Sequence, residues 1–313
     1  MSGSWARLRR TFRRLDVGPG RPPTPPPGLP PAYIVRLEGR GETFVRHHQG
    51  PADAPVLLLL HGWTASADLQ WCTTYPTLCE RWSVIAIDHR GHGRGIRSEE
   101  KFTIEDCADD AAAAVRLLVP GRKVVAVGYS MGGPIALRLW HRHRDLVSGV
   151  VLEATALEWQ TAFEDRLRWR LLVLLEQVLR SRRLHRWVAR YLREEVLHNP
   201  ELEPYVPWIL AEMRRTDPRA IIEAGRALET FDARPFAPAM DVPAAIVLTT
   251  GDHVVRPVKQ RALAAAVRAR VFEIAGDHDA TMALAHQFAE VTARAVEAVV
   301  GTAAEDRSAL RLA

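Results

Sequence analysis

The sequence predicts an α/β fold, a doubly wound and mostly parallel sheet interrupted once by a helical insertion. Short, continuously apolar runs recur along the chain, as in strands buried on both faces. Helical patterns separate those runs, the alternation that builds a doubly wound sheet. That alternation stops between about Thr155 and Ala239 and then resumes.

The elements follow in order. Residues 1–17 are basic, with Arg7, Arg9, Arg10, Arg13 and Arg14 around Trp5, Leu8, Phe12 and Leu15 at helical spacing. An interfacial helix lying on anionic lipid has this pattern. A helix so short is marginal in water, which favours a solvated tail. Pro19 to Pro31 reads as an extended polyproline linker, so residues 1–32 form a tail and linker. Tyr33–Leu37 and Thr43–His47 alternate in polarity and flank Gly39-Arg40-Gly41, a hairpin pattern. The strand-like runs are Val56–Leu60, Val84–Ile87, Val124–Val127, Gly149–Leu152, Ala245–Leu248 and Val271–Ile274. A helix opens at Thr103, with Asp106 placed three residues on as in a capping box.

Residues 155–238 carry helical patterns rich in Arg, Leu and Trp. Leu167, Leu171, Leu174, Leu175 and Val178 make one apolar face, and Leu184, Trp187, Val188, Tyr191 and Leu192 another. Arg182, Arg186, Arg190 and Arg193 line the far side of the second. The expected organisation is a core of residues 33–154 plus 239–300, a helical cap at 155–238 and a C-terminal tail at 301–313.

Composition narrows the function classes. The 313 residues are 47% hydrophobic and 25% charged, which is globular. The net charge of +5 comes without a reading motif beside it, so no nucleic-acid partner is expected. Cys72, Cys79 and Cys107 are an odd, sparse set, which argues for a reducing, cytoplasmic compartment and against a disulfide framework. None has metal-ligand spacing, and neither a metal nor another cofactor is expected. The longest strictly apolar runs fall far short of the ~20 residues of a spanning helix. A secretory signal is not expected either, because the N-terminus has no apolar core. The basic tail is suited to peripheral membrane contact.

The strand-like Val124–Val127 runs into Gly128-Tyr129-Ser130-Met131-Gly132-Gly133, and a helical pattern follows at once. A serine in G-x-S-x-G at a strand-to-helix turn is lifted above the strand end. Glycines flank it because side chains there would clash. Ser130 is therefore the candidate nucleophile. A hydroxyl needs a base within hydrogen-bond reach, and the base needs an acid to orient it. His278 follows the strand ending at Ile274, and Asp252 follows the strand ending at Leu248. Both lie on the sheet edge that carries Ser130, where open α/β sheets place their sites. Glu153, closing the strand Gly149–Leu152, is the alternative acid. His253 reads as a solvated loop histidine, and Asp277 and Asp279 as turn residues that could tune His278.

A tetrahedral intermediate needs donors for its oxyanion. The backbone N–H of Met131, next after the nucleophile, is one candidate. The N–H of Trp63, in His61-Gly62-Trp63 after an early strand, is the other. His61 itself reads as a pin for that loop. The loop Asp88-His89-Arg90-Gly91-His92-Gly93 lacks both phosphate-binding glycine spacings and reads as a structural turn.

Together, His61-Gly62-Trp63, Asp88 to Gly93, Gly128 to Gly133, Gly251-Asp252 and Gly276-Asp277-His278 resemble the α/β-hydrolase superfamily, in its order and over roughly residues 33–300 apart from the cap. The resemblance implies the α/β-hydrolase fold, with an eight-stranded, mostly parallel sheet, a catalytic triad and a helical cap. It is strongest to bacterial members of the esterase and lipase type. Haloalkane dehalogenases and epoxide hydrolases use an aspartate where this chain has Ser130. The chain departs from many relatives at Arg94, where they carry a small hydroxyl residue soon after the second glycine of the loop.

The expected function is hydrolysis of a small-molecule carboxylic ester of apolar character, through an acyl-enzyme on Ser130. An acyltransferase or perhydrolase would use the same triad with another acceptor. A non-catalytic receptor on this fold is the third reading, and an intact triad argues against it. The fold hosts many reactions, so the triad does not name the substrate.

Overall fold

The computed structural model describes residues 23–159 and 199–312, with side chains to residue 303. The apolar runs form the strands β3 (Val56–Leu60), β4 (Ser83–Ile87), β5 (Val124–Tyr129), β6 (Val147–Glu153), β7 (Ala244–Thr249) and β8 (Arg270–Ile274). The hairpin forms β1 (Ala32–Leu37) and β2 (Gly41–His48). These make one eight-stranded sheet in the order β1-β2-β4-β3-β5-β6-β7-β8. β1 and β2 are antiparallel to each other, β2 is antiparallel to β4, and the remaining pairings are parallel.

The strand interiors show why continuous apolar runs were needed. In β3, Leu58 and Leu60 pack on one face with Ile135, Leu139 and Ala111, while Leu57 and Leu59 pack on the other with Trp71, Tyr75 and Val299. A period of two sends neighbours to opposite faces, and helices cover both. β8 lies at the edge, so Val271 and Glu273 are exposed and only Phe272 and Ile274 of its apolar residues are buried.

The helices are α1 (Ala67–Trp71), α2 (Tyr75–Cys79), α3 (Ile104–Leu118), α4 (Gly132–Arg142), α5 (Val206–Met213), α6 (Pro218–Thr230), α7 (Pro257–Ala266), α8 (Ala280–Ala283) and α9 (Ala285–Leu312) among the described residues. The Thr103 hydroxyl oxygen accepts from the Asp106 N–H at 3.0 Å, as expected of an N-cap. The returning bond differs from a capping box: the Asp106 carboxylate accepts from the Thr103 hydroxyl at 2.6 Å. The last helix continues to Leu312, through residues read from the sequence as a tail.

Between β6 and β7 the described elements are a 3-10 turn at Pro200–Tyr205, then α5, α6 and a 3-10 turn at Ala237–Ala239. Trp208, Val206, Ile209 and Leu210 pack against Leu69 and Cys72 of the α1 region. The Trp63 indole N–H donates to Ile221 O of α6 at 2.9 Å, and the Asp217 N–H donates to Gly91 O at 2.9 Å. The insertion is thus seated on the loops that follow β3 and β4. The basic tail at 1–17, the apolar faces expected over Leu167–Val178 and Leu184–Leu192 with the arginine row beside the second, and Trp169, one of the tryptophans of the expected cap, all lie outside the described residues.

Candidate active site

β5 ends at Tyr129, and the chain reverses at once into α4. Ser130, at this reversal, takes φ 52°, a left-handed conformation that a non-glycine residue holds only when its surroundings enforce it. The enforcement is visible. The Ser130 N–H donates to Glu153 O at 2.8 Å, and its carbonyl accepts from the Thr155 hydroxyl at 2.8 Å and the Gly133 N–H at 2.9 Å. The flanking glycines are required by space. A Cβ on Gly128 would stand 2.3 Å from Gly132 O, and one on Gly132 would stand 2.0 Å from Leu60 O.

The structure brings Ser130, His278 and Asp252 together. His278 Nε2 lies 3.0 Å from Ser130 Oγ, and Nδ1 lies 2.8 Å from Asp252 Oδ2. An ionised carboxylate only accepts, so Nδ1 carries the proton and Nε2 is left to accept from the serine hydroxyl. Asp252 is 3% exposed and Ser130 5%. Asp252 Oδ1 accepts from the backbone N–H groups of Val254 at 2.8 Å and Val255 at 2.7 Å. The Tyr129 hydroxyl donates to His278 O at 2.7 Å, tying the histidine loop to the nucleophile turn.

Glu153 does not meet the histidine. Its side chain is fully buried and accepts from the Thr292 hydroxyl at 2.7 Å, while Oε2 has no hydrogen-bond partner among the described residues. Burial pushes its carboxyl up to about 8, against the Thr292 bond, which lowers it. His253 is exposed, as expected, but it is not merely solvated. Its Nδ1 meets Asp277 Oδ2 at 2.7 Å. Asp277 also accepts from the N–H groups of His253 at 2.9 Å and His278 at 2.6 Å, so it clamps the acid loop to the histidine loop. Burial raises the Asp277 carboxyl, but these donors outweigh it and hold the group below its ordinary range. Asp279 stands at the N-cap position of the short helix α8, with no capping bond from its side chain.

Met131 occupies the N-cap of α4, where the helix dipole favours negative charge. Trp63 follows Gly62, and a Cβ on Gly62 would meet Ser130 Cβ at 3.3 Å, so the loop after β3 abuts the nucleophile. The Gly62 N–H is held by Gln70 Oε1 at 3.2 Å, and Gln70 Nε2 donates to Thr281 Oγ1 at 3.3 Å. His61 pins the loop: Nε2 accepts from the His89 N–H at 2.9 Å. Burial, then the neighbouring His89 and His92, keep His61 far below the ordinary imidazole range.

The turn after β4 is built around Asp88, which accepts from the N–H groups of Ala67 and Arg94, both at 2.7 Å. Arg94, the departure noted in the sequence, stacks 3.5 Å over Phe44 and reaches Asp68 at 2.8 Å and Glu212 of α5 at 3.3 Å. Asp68 in turn holds Arg46 through two bonds, at 2.7 and 2.8 Å. Sequence reasoning missed Gln70, Thr249, Gln260 and the Arg94 network, since nothing in their spacing marks them. Among the described residues no His, Cys, Asp or Glu group is arranged to hold a metal ion, and no helix is long and apolar enough to cross a membrane.

Comparison with known proteins agrees with this architecture. A family model described as the alpha/beta hydrolase fold matches residues 55–281. A pimeloyl-[acyl-carrier protein] methyl ester esterase from Neisseria meningitidis serogroup C is 30% identical over 210 residues, 66% of this chain and 79% of the relative. A bifunctional esterase/perhydrolase from Acinetobacter calcoaceticus is 42% identical over 85 residues, 27% of this chain and 30% of the relative. Among solved structures, the enol-lactonase of Burkholderia xenovorans superposes with a TM-score of 0.69 at 23% identity, over 85% of this chain and 100% of the other, a likeness of fold.

Proposed function

The chain belongs to the α/β-hydrolase fold family and is an ester-acting hydrolase, and from that premise we propose that it cleaves carboxylic esters of apolar character through an acyl-enzyme on Ser130. The observation that carries this reading is the hydrogen-bonded chain from Ser130 through His278 to Asp252, at 3.0 and 2.8 Å.

Ser130 Oγ attacks the ester carbonyl carbon as His278 Nε2 takes its proton. The carbonyl electron pair moves onto oxygen, where the N–H groups of Met131 and Trp63 receive it. Asp252 holds the imidazole in the required tautomer and stabilises its positive charge. Collapse of the intermediate expels the alcohol oxygen, which takes the proton from His278 and leaves Ser130 acylated. Water then repeats the sequence, with His278 again as base, and releases the carboxylic acid. The insertion at 155–238 acts as a cap over this site and selects the acyl group. Its seat on the loops after β3 and β4, through Trp63 and Gly91, supports that role.

The match to an esterase/perhydrolase favours a second reading, in which peroxide or another nucleophile replaces water at the acyl-enzyme. Product analysis with competing acceptors separates the two. The primary test is an ester panel of varied acyl length, run with fluorophosphonate labelling. Labelling is expected on Ser130, and Ser130→Ala is expected to lose turnover by on the order of 10⁶ while folding normally. Turnover within tenfold of wild type would sink the assignment.

A further inference from the structure

Beneath Asp252 lies a fully buried pair, Thr249 at the end of β7 and Gln260 on α7. Gln260 Oε1 accepts from the Thr249 N–H at 3.1 Å, which fixes the orientation of the amide, since the flipped form would set NH₂ against N–H. Nε2 has two hydrogens. Its shortest acceptors are Val255 O at 2.7 Å and Thr249 Oγ1 at 2.9 Å, with Asp252 Oδ2 at 3.3 Å and Thr249 O at 3.5 Å beyond them.

The hydrogen count then decides the direction of the remaining bond. The Thr249 hydroxyl accepts from the amide, so its own single hydrogen goes to Asp252 Oδ2, 2.8 Å away. We propose that Gln260 and Thr249 are positioning residues for the acid: a one-way relay of donors, amide to hydroxyl to carboxylate, that locks Asp252 Oδ2 onto His278 Nδ1. The inference rests on the triad reading above and extends it one layer into the protein. Oδ1 is already held by the N–H groups of Val254 and Val255. With the Thr249 hydroxyl on Oδ2, both carboxylate oxygens are fixed and the group cannot swing about its Cβ–Cγ bond. The histidine inherits that orientation. Without the relay, Oδ2 keeps only the imidazole as a close partner, and the imidazole loses its fixed bearing on Ser130.

Four variants test this: Gln260→Met, Thr249→Val, the double variant, and Thr249→Ser, which keeps the hydroxyl. Bonds to a charged group are strong enough that each single removal is expected to lower kcat by about ten- to hundredfold, with KM held within about twofold. Both changes cut one relay, so the double variant is expected to lose no more than the worse single variant. Thr249→Ser is expected to recover most of what Thr249→Val loses. In an Asp252→Asn background the relay variants are expected to change kcat no further.

Wild-type kcat in the folded single variants, additive losses, or a Thr249→Ser as damaged as Thr249→Val overturns the relay. Neutron diffraction of the wild-type protein tests it without any variant. Deuterium on Thr249 Oγ1 is expected to point at Asp252 Oδ2, and any other direction overturns the proposal. Labelling of wild-type Ser130 keeps the two readings apart. If Ser130 is not labelled by fluorophosphonate, the triad reading fails; if it is labelled and the relay variants match wild type, the relay alone fails.

Discussion

Glu153 offers the most quantitative check on the electrostatics of the site. Its backbone oxygen holds the nucleophile turn, and its carboxyl is fully buried, with one oxygen on Thr292 and the other without a partner among the described residues. Burial raises it from 4.5 to about 8. The folded chain therefore holds a proton there over a range in which the unfolded chain has released it. Stability contributed by that proton is fully present below about pH 4.5 and is lost as pH rises through about 8. At about 1.4 kcal/mol for each pH unit, the whole span is worth at most about 5 kcal/mol.

Glu153→Gln removes the titration and keeps the shape. It also leaves an amide N–H group in the space of the unpartnered oxygen, a cost of about 1–3 kcal/mol at every pH. The assay is urea unfolding of both proteins at intervals between pH 5 and pH 8. The difference in stability, variant minus wild type, is expected to grow with pH by about 1 kcal/mol per pH unit across that range, since groups common to both proteins cancel. Parallel curves would refute the idea that Glu153 is protonated in the folded protein. The same variant decides the identity of the acid: it is expected to retain turnover, whereas a severe loss alongside a mild Asp252→Asn would move the role to Glu153.

Asp252→Asn is expected to reduce kcat by about 10⁴ by presenting the wrong partner to Nδ1, and His278→Ala to match Ser130→Ala, both read by steady-state ester hydrolysis. Gly132→Ala is expected to give little folded protein, since its Cβ would stand 2.0 Å from Leu60 O; a variant with wild-type melting would contradict the geometry of the turn. Trp208→Ala is expected to shift the preferred acyl length by a few carbons, each methylene being worth about 1–3 kcal/mol, and an unchanged chain-length profile would refute the role of the insertion as a cap.

The fold was legible because its strands carry their burial in their composition. Val56–Leu60 has no polar residue because helices cover both of its faces, and that is visible without a structure. The nucleophile turn was legible for a similar reason, since backbone crowding at Gly128 and Gly132 leaves a fixed residue pattern. Side-chain partnerships were not. Tyr129 bonds the carbonyl of His278 across 149 residues, and Gln70 bonds Thr281 across 211. Such pairs obey no period and no spacing, and a buried amide is indistinguishable in sequence from an exposed one. Arg94 stood out as a departure in the sequence, but its partners Asp68 and Glu212 follow only from where α1 and α5 come to rest.

The order of the sheet sets a timetable for synthesis. β3 and β5 lie at its middle, and the strands that precede Asp252 and His278, β7 and β8, are added at one edge. The serine is translated 148 residues before its histidine. At about 5–20 residues per second, the ribosome makes the second about 7–30 s after the first. During that interval the nascent chain can already hold the turn, because its hydrogen-bonding supports at Glu153 and Thr155 follow Ser130 by only about 25 residues. Yet the exposed edge of β6 still waits for β7. A chaperone that covers that edge would guard the newborn protein against sheet-to-sheet association, and recovery of ester hydrolysis on refolding would time the docking of the last two strands.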